Sequence, residues 1–171
     1  MRLLAEEKKS GTIELLLTKA VTDRQIVLGK FLSTLILIAC ALILTLPYVI
    51  TVASIGNMDV GGVICGYLGL LLMSGVYISI GLFASSITQN QIVAFLTALF
   101  TGLLFHLIFD LLAGSTTGIT GQLFNLLSMR VHFESLSRGV VDTSDLIYYI
   151  SLIFLGLFFA EVSLAKRNKA N

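Results

Sequence analysis

Charge is the scarcest feature of this sequence: 12% of its 171 residues are charged, against 56% hydrophobic, and the mean hydropathy is +0.96. A soluble domain carries about a quarter charged residues, so a water-exposed globule is excluded and lipid is the solvent that fits. Charge of one sign is lacking too. Eleven Lys plus Arg against ten Asp plus Glu leave +1, which excludes the basic field that neutralises phosphates and, with it, a nucleic-acid partner. There are only two cysteines. Cys40 and Cys65 lie in apolar runs without His at metal spacing, which excludes a zinc site and a disulfide-stapled fold and makes both read as small core residues. No G-x-x-x-x-G-K-[ST] phosphate loop occurs, so ATP hydrolysis is not expected of this chain. No catalytic constellation is visible, and neither a cofactor nor a metal is expected. No signal peptide is expected either, because residues 1–30 hold charges throughout and no apolar core of the needed length.

What is present is long uncharged stretches. Crossing a bilayer core of about 30 Å takes roughly 20 helical residues. Phe31 to Met58 and Val60 to Phe109 carry no Asp, Glu, Lys or Arg, and neither does Leu146 to Ala160. The polar cluster Ser85, Ser86, Thr88, Gln89, Asn90 and Gln91 divides the longest run. Four spans follow, at about 31–55, 60–84, 92–110 and 146–165, the last cut short by Glu161. These runs lack the alternation of a lipid-facing barrel strand, and an open strand edge cannot survive in hydrocarbon. The expected fold is therefore all-α: a polytopic membrane helical bundle of four transmembrane helices. Arg2, Lys8, Lys9, Lys19, Arg24 and Lys30 precede the first span, and Lys166, Arg167 and Lys169 follow the last. That bias places both termini in the cytoplasm, with 1–30 a cytoplasmic segment, 31–165 the transmembrane domain, 111–145 an extracytoplasmic loop and 166–171 a cytoplasmic tail.

Residues 1–30 are the most informative. Ile13, Leu16, Leu17, Ala20 and Val21 recur at helical spacing while Glu14, Thr18 and Lys19 fall elsewhere on the wheel, which describes a short amphipathic helix. Thr22 followed by Gln25 reads as a capping box with Asp23 in the first turn, so a second helix begins there and runs through Lys30 into the first span. On periodicity alone the amphipathic helix could be an interfacial anchor lying on headgroups. The string Glu7-Lys8-Lys9-Ser10-Gly11-Thr12-Ile13-Glu14-Leu15-Leu16-Leu17, followed by Gly29-Lys30, closely resembles the cytoplasmic loop of ABC-2 type transporter permeases, an E-x-x-x-G-T-x-E-x-L-L pattern leading to a G-K at the next span.

Two further strings extend the likeness over essentially the whole chain. Gly81-Leu82-Phe83-Ala84-Ser85-Ser86-Ile87-Thr88-Gln89-Asn90-Gln91 is similar to the family's tight cytoplasmic return, and His132-Phe133-Glu134-Ser135-Leu136-Ser137-Arg138-Gly139-Val140-Val141-Asp142 to its extracytoplasmic segment before the last span. The likeness is nearest to the gliding-motility and nitrous-oxide-maturation branches. It implies a bacterial cytoplasmic-membrane permease, a probable exporter working with a separate ABC ATPase that binds ATP and Mg, and with a second permease chain, identical or not. It also implies that residues 1–30 hold a coupling helix that binds the ATPase through Glu7, Gly11, Thr12, Ile13, Glu14, Leu16 and Leu17: Gly11 makes the turn, Thr12 caps, and Glu14 and Leu16–Leu17 form its polar and apolar sides. The sequence departs from the family in carrying Ala20 where Pro is usual. Members also usually have two spans before this loop, so the first two transmembrane helices are expected to be missing by truncation or supplied by another polypeptide. A non-transporting membrane scaffold that recruits a partner through 1–30 is the competing reading.

Within the membrane part, Gly62, Gly66 and Gly69 mark the second span as a packing helix, with Gly62 and Gly66 at small-xxx-small spacing; packing within one subunit and a dimer seam both stay open. Pro47 removes a backbone hydrogen bond and predicts a kink or helix end near Thr45 to Tyr48, as a fixed bend or a hinge. His106 and Asp110 would share a helix face, as interface-reaching groups or as an acid–base or metal pair with His132 and Glu134 across the loop. Intramembrane hydrolysis through His106 and Asp110 is the third functional reading. Gly114 to Gly118 opens the loop 111–145, and Gln122 to Ser128 is a short amphipathic stretch against the outer face.

Overall fold

The computed structural model describes residues 22–168. Among them are eight α-helices and one π-helical turn, and no strand. We number the helices α1 (Asp23–Ile43), α2 (Leu46–Ile55), α3 (Val60–Ile87), α4 (Gln91–Leu103), α5 (Phe109–Ser115), α6 (Ile119–Leu127), α7 (Met129–Ser137) and α8 (Thr143–Asn168), with the π turn Leu104–Ile108 joining α4 to α5. Four stretches are long and apolar enough to cross a bilayer: Asp23–Ile55, Val60–Ile87, Gln91–Ser115 and Thr143–Lys166. The expected all-helical, four-span bundle is what the chain forms.

Local chemistry sets the ends. At α1 the Gln25 amide donates to Thr22 Oγ1 at 3.4 Å while the Thr22 amide donates to Gln25 Oε1 at 3.1 Å, a reciprocal capping box. Asp59 caps α3 by accepting from the Gly61 amide at 3.0 Å, and Asn90 caps α4 by accepting from Ile92 at 2.9 Å. Pro47 falls in the first turn of α2, where a missing amide proton costs least, and the first span breaks at Leu44–Thr45. Thr45 Oγ1 donates to Leu42 O at 2.6 Å. Its single proton is thereby used, so the 2.6 Å contact with Tyr67 is a hydrogen bond donated by the Tyr67 hydroxyl. That bond from α3 tethers the break, which makes it a fixed bend.

α3 and α8 form the central pair, α1 packs on both, and α4 packs on α3. The pair closes through small residues. A Cβ on Gly156 would lie 2.6 Å from Ser79 Oγ and 3.2 Å from the Ser79 backbone carbon, so only glycine lets α8 approach there. Gly75 faces Ile153, and Ser163 Oγ donates to Ser86 O at 3.3 Å. One core, of Val27, Phe31, Ile78, Leu82, Ala160 and Leu164, joins α1, α3 and α8 near the start of α1, which we call the near end. A second, of Val76, Met129, Leu136 and Tyr149, joins α3, α7 and α8 towards the far end. Outward faces are apolar. Leu37, Phe100 and Phe154 are each about two-thirds exposed, as expected of surfaces that meet hydrocarbon rather than water.

Several expectations are corrected. Helix α3 runs on through Ser85 and Ser86, so the return is only Thr88 to Asn90. Both serines are buried, and Ser86 Oγ is satisfied by Phe83 O at 2.7 Å, so polarity there does not end the helix. The third span continues past Asp110 to Ser115, because an arginine meets that carboxylate. Glu161 does not shorten the last span, whose helix reaches Asn168. Residues 111–145 are mostly helix rather than loop: α6 takes up the amphipathic stretch expected at Gln122 to Ser128, starting at Ile119, and α7 follows. Cys40 is exposed on α1, not a core residue, and Cys65 is half-buried.

Candidate functional site

The residues expected to contact an ATPase, Glu7, Gly11, Thr12, Ile13, Glu14, Leu16 and Leu17, lie outside the described residues. What is described is the helix they lead into. α1 begins with its capping box at Thr22, and within two turns Val27 (2% exposed) and Phe31 are locked into the near-end core. Val27 and Phe31 thus key α1 to Leu82 of α3 and to Ala160 and Leu164 of α8. Beside this contact a groove of about 350 Å³ runs between the start of α1 and the end of α8.

The far end carries a polar knot. His132 and Asp145 are both nearly buried, and His132 Nδ1 lies 2.6 Å from Asp145 Oδ1. His132 Nε2 lies 3.1 Å from Leu126 O. A carbonyl only accepts, so Nε2 carries a proton, and Nδ1 and Oδ1 share one more between them. The Tyr148 ring stacks on the imidazole with centroids 4.0 Å apart. Its hydroxyl donates to Leu127 O at 2.6 Å, and that of Tyr149 donates to Met129 O at 2.9 Å. The Leu127 carbonyl belongs to the last turn of α6, where a helix leaves acceptors without partners, and the Met129 carbonyl to the first residue of α7. The first turns of α8 thus bolt the α6–α7 junction to the bundle. Asp145 Oδ2 and Ser128 Oγ are buried without a hydrogen-bond partner.

A second set of charges lies nearer solvent. Arg130 Nη1 donates to Asp110 Oδ2 at 3.1 Å and Arg130 Nε to Glu134 Oε1 at 2.9 Å. The hydrogen bond to Glu134, followed by the charge of Asp110, pushes the guanidinium pKa up from an already high value. Asp110 is therefore turned towards Arg130 rather than His106. Between the two residues lies the π turn, in which the Phe109 amide bonds Leu104 O, five residues back. His106 instead lies beside Tyr77, ring centroids 6.5 Å apart, with Nδ1 buried and unpartnered. Glu134 pairs with Arg130 and His132 with Asp145, so the grouping of His106, Asp110, His132 and Glu134 does not form. Among the described residues no three His, Cys, Asp or Glu side chains are grouped as a metal ion would need.

Of the three glycines expected at packing contacts, Gly62 and Gly69 lie against α7. A Cβ on Gly62 would come 3.2 Å from Ser137 O, and one on Gly69 3.2 Å from the Phe133 ring. Gly66 has no atom within 4 Å of such a Cβ, so the Gly62–Gly66 spacing makes no seam with another described helix. The helix turns Gly66 outward while Gly62 and Gly69, seven residues apart, share the inward face.

The model of the ABC-2 family transporter protein matches residues 1–165. The chain belongs to the ABC-2 transporter family. This ABC-2 chain is accordingly a multi-pass membrane protein and the permease subunit of an ABC transporter, a family that partners with an ABC ATPase and is typically non-catalytic. No curated protein matches it.

In the ABC-2 permease the functional geometry that the sequence reading missed is the His132–Asp145 pair. The residues are 13 apart in sequence, on different helices. One signal was available: Asp145 falls in the first turn of α8, three residues before the only Tyr-Tyr pair in the chain.

Proposed function

We propose that this permease is the membrane half of an ATP-driven exporter in a bacterial cytoplasmic membrane, of the gliding-motility or nitrous-oxide-maturation type, with both termini cytoplasmic and a second permease chain beside it. ATP and Mg bind the partner ATPase, and this chain carries no cofactor. Ile13, Leu16 and Leu17 dock in an apolar cleft of the ATPase, Glu7, Glu14 and Lys19 set the register at its rim, Gly11 makes the turn and Thr12 caps the coupling helix. Closure of the ATPases then pushes on that helix, and α1 passes the displacement to α3 and α8.

The observation that supports this reading most is the start of α1: the E-x-x-x-G-T-x-E-x-L-L string leads, five residues after Leu17, into a capped helix whose Val27 and Phe31 are built into the core of α3 and α8. A scaffold that only recruits a partner has no need for such a connection. The test is Leu16→Glu in vesicles that hold the permease and its ATPase. An uncompensated carboxylate forced into an apolar cleft is costly, so stimulation of ATP hydrolysis is expected to fall at least about tenfold while membrane insertion is unchanged. Normal stimulation in the variant would remove the docking reading. Wild-type ATPase binding without ATP-dependent flux would favour the scaffold.

A further inference from the structure

The groove at the near end is open outward and mixed in character. Its floor and rim come from two helices, with Arg24 and Leu28 of α1 facing Phe154, Leu157, Phe158 and Glu161 of α8. Phe154 and Phe158 are more than half exposed, and their rings stack along α8 with centroids 6.4 Å apart. These aromatic faces point where hydrocarbon lies if α1 and α8 cross the bilayer. Arg24 lies in the first turn of α1 and Glu161 five residues before the end of the last span at Lys166, so both charges sit towards the near-end limits of their spans. Among the described residues neither has a salt-bridge or hydrogen-bond partner.

Each property restricts the occupant. The volume of about 350 Å³ lies at the lower end of the range for small-molecule sites. An apolar wall continuous with the lipid-facing surface selects a molecule with an acyl chain. One guanidinium and one carboxylate at the polar end select a headgroup with both signs of charge. Arg matches a phosphate in a bidentate fork, and Glu accepts hydrogen bonds from an ammonium that has protons to give. We propose that this groove binds a zwitterionic phospholipid with a primary ammonium, its phosphate on Arg24, its ammonium on Glu161 and one acyl chain along Leu157, Phe154 and Phe158. The site clamps α1 to α8 from the lipid side, so lipid composition sets how firmly the first described span is held to the last.

The test uses the full chain, purified, delipidated and titrated with phosphatidylethanolamine, phosphatidylcholine or phosphatidylglycerol in mixed micelles, with bound lipid counted by native mass spectrometry. Phosphatidylethanolamine is expected to bind at least about fivefold more tightly than the other two, and O-phosphoethanolamine, the headgroup without chains, is expected not to compete. Arg24→Gln should weaken all three lipids, phosphatidylethanolamine by about tenfold, the loss of one charge-assisted contact. Arg24→Lys should retain most of the binding. Glu161→Gln should abolish the preference for the primary ammonium and leave phosphatidylglycerol bound as well as phosphatidylethanolamine. Each variant is checked for a single elution peak and an unchanged melting temperature without lipid; if Arg24→Gln fails that check, the Glu161→Gln selectivity decides. Equal binding of the three lipids to the wild type would overturn the proposal. So would lipid binding unchanged in both variants, the result expected if residues 1–21 fill the groove. Competition by O-phosphoethanolamine as strong as that of the lipid would assign the site to a free phosphorylated amine and overturn it equally.

Discussion

The His132–Asp145 pair can be taken apart with a predictable energy. In His132→Leu, Asp145 loses the only hydrogen bond to its carboxyl group, since Oδ2 already has none. Asp145 is only 4% exposed, so water cannot replace the imidazole. Removing one member of a buried pair costs about 3–5 kcal/mol, mostly because the other is stranded. Leu126 O also loses a donor at 3.1 Å, a smaller loss because Leu126 is exposed and water can take the place of the imidazole. Replacing both residues by leucine removes the stranded acid and leaves only the Leu126 and stacking losses, so His132→Leu/Asp145→Leu should be more stable than His132→Leu alone by about 2–3 kcal/mol. The assay is reversible denaturant unfolding of the permease in bicelles, with a double-mutant cycle across the pair. If the double variant costs the sum of the two single ones, the residues do not act as a pair and the account of how α7 is held to α8 is wrong.

Three other perturbations separate contacts that matter from those that only look as if they do. Gly156→Ala places a Cβ against Ser79, including its backbone, and should destabilise the α3–α8 pair by about 1–3 kcal/mol, whereas Gly66→Ala, in open space, should be neutral or stabilise by up to about 1 kcal/mol; melting temperatures of the two in micelles should move in opposite directions or differ clearly. Thr22→Ala removes half of the capping box and should cost about 1 kcal/mol, read as faster hydrogen exchange at the first-turn amides of α1 with little change at Leu82. Arg130→Gln breaks both ion pairs of an exposed guanidinium yet should leave the denaturant midpoint essentially unchanged; a clear downward shift would show that Arg130 holds α7 in place.

How much of this was legible depends on the range of the forces involved. Spans are set by composition over some 20 neighbouring residues, so all four could be read from hydropathy. The capping box at Thr22 and Gln25 and the break before Pro47 are equally local, three residues or fewer across, and both were visible. The extent of α3 was misread because a serine that donates to a carbonyl three residues back, as Ser86 does to Phe83, has no unmet polarity left to bring to a turn. Asp110 looked like the end of a span for a related reason. Its charge is answered from α7, 20 residues further on, and an answered charge need not stop a helix.

The pairing of helices is where local reading fails on principle. Small-xxx-small spacing states that a face can be approached closely; it does not state by what. Gly62 and Gly66 satisfy the pattern, yet a close approach that only glycine permits is made at Ser79, which the pattern passed over, because Gly156 of α8 is opposite. The His106–Asp110 pair fails for the complementary reason. Four-residue spacing allows two side chains to meet but does not choose their partners, and here Asp110 is taken by Arg130 while His106 lies against Tyr77, with a π turn at Leu104–Ile108 in the same stretch. A π turn satisfies its backbone five residues back, so nothing in hydropathy marks it.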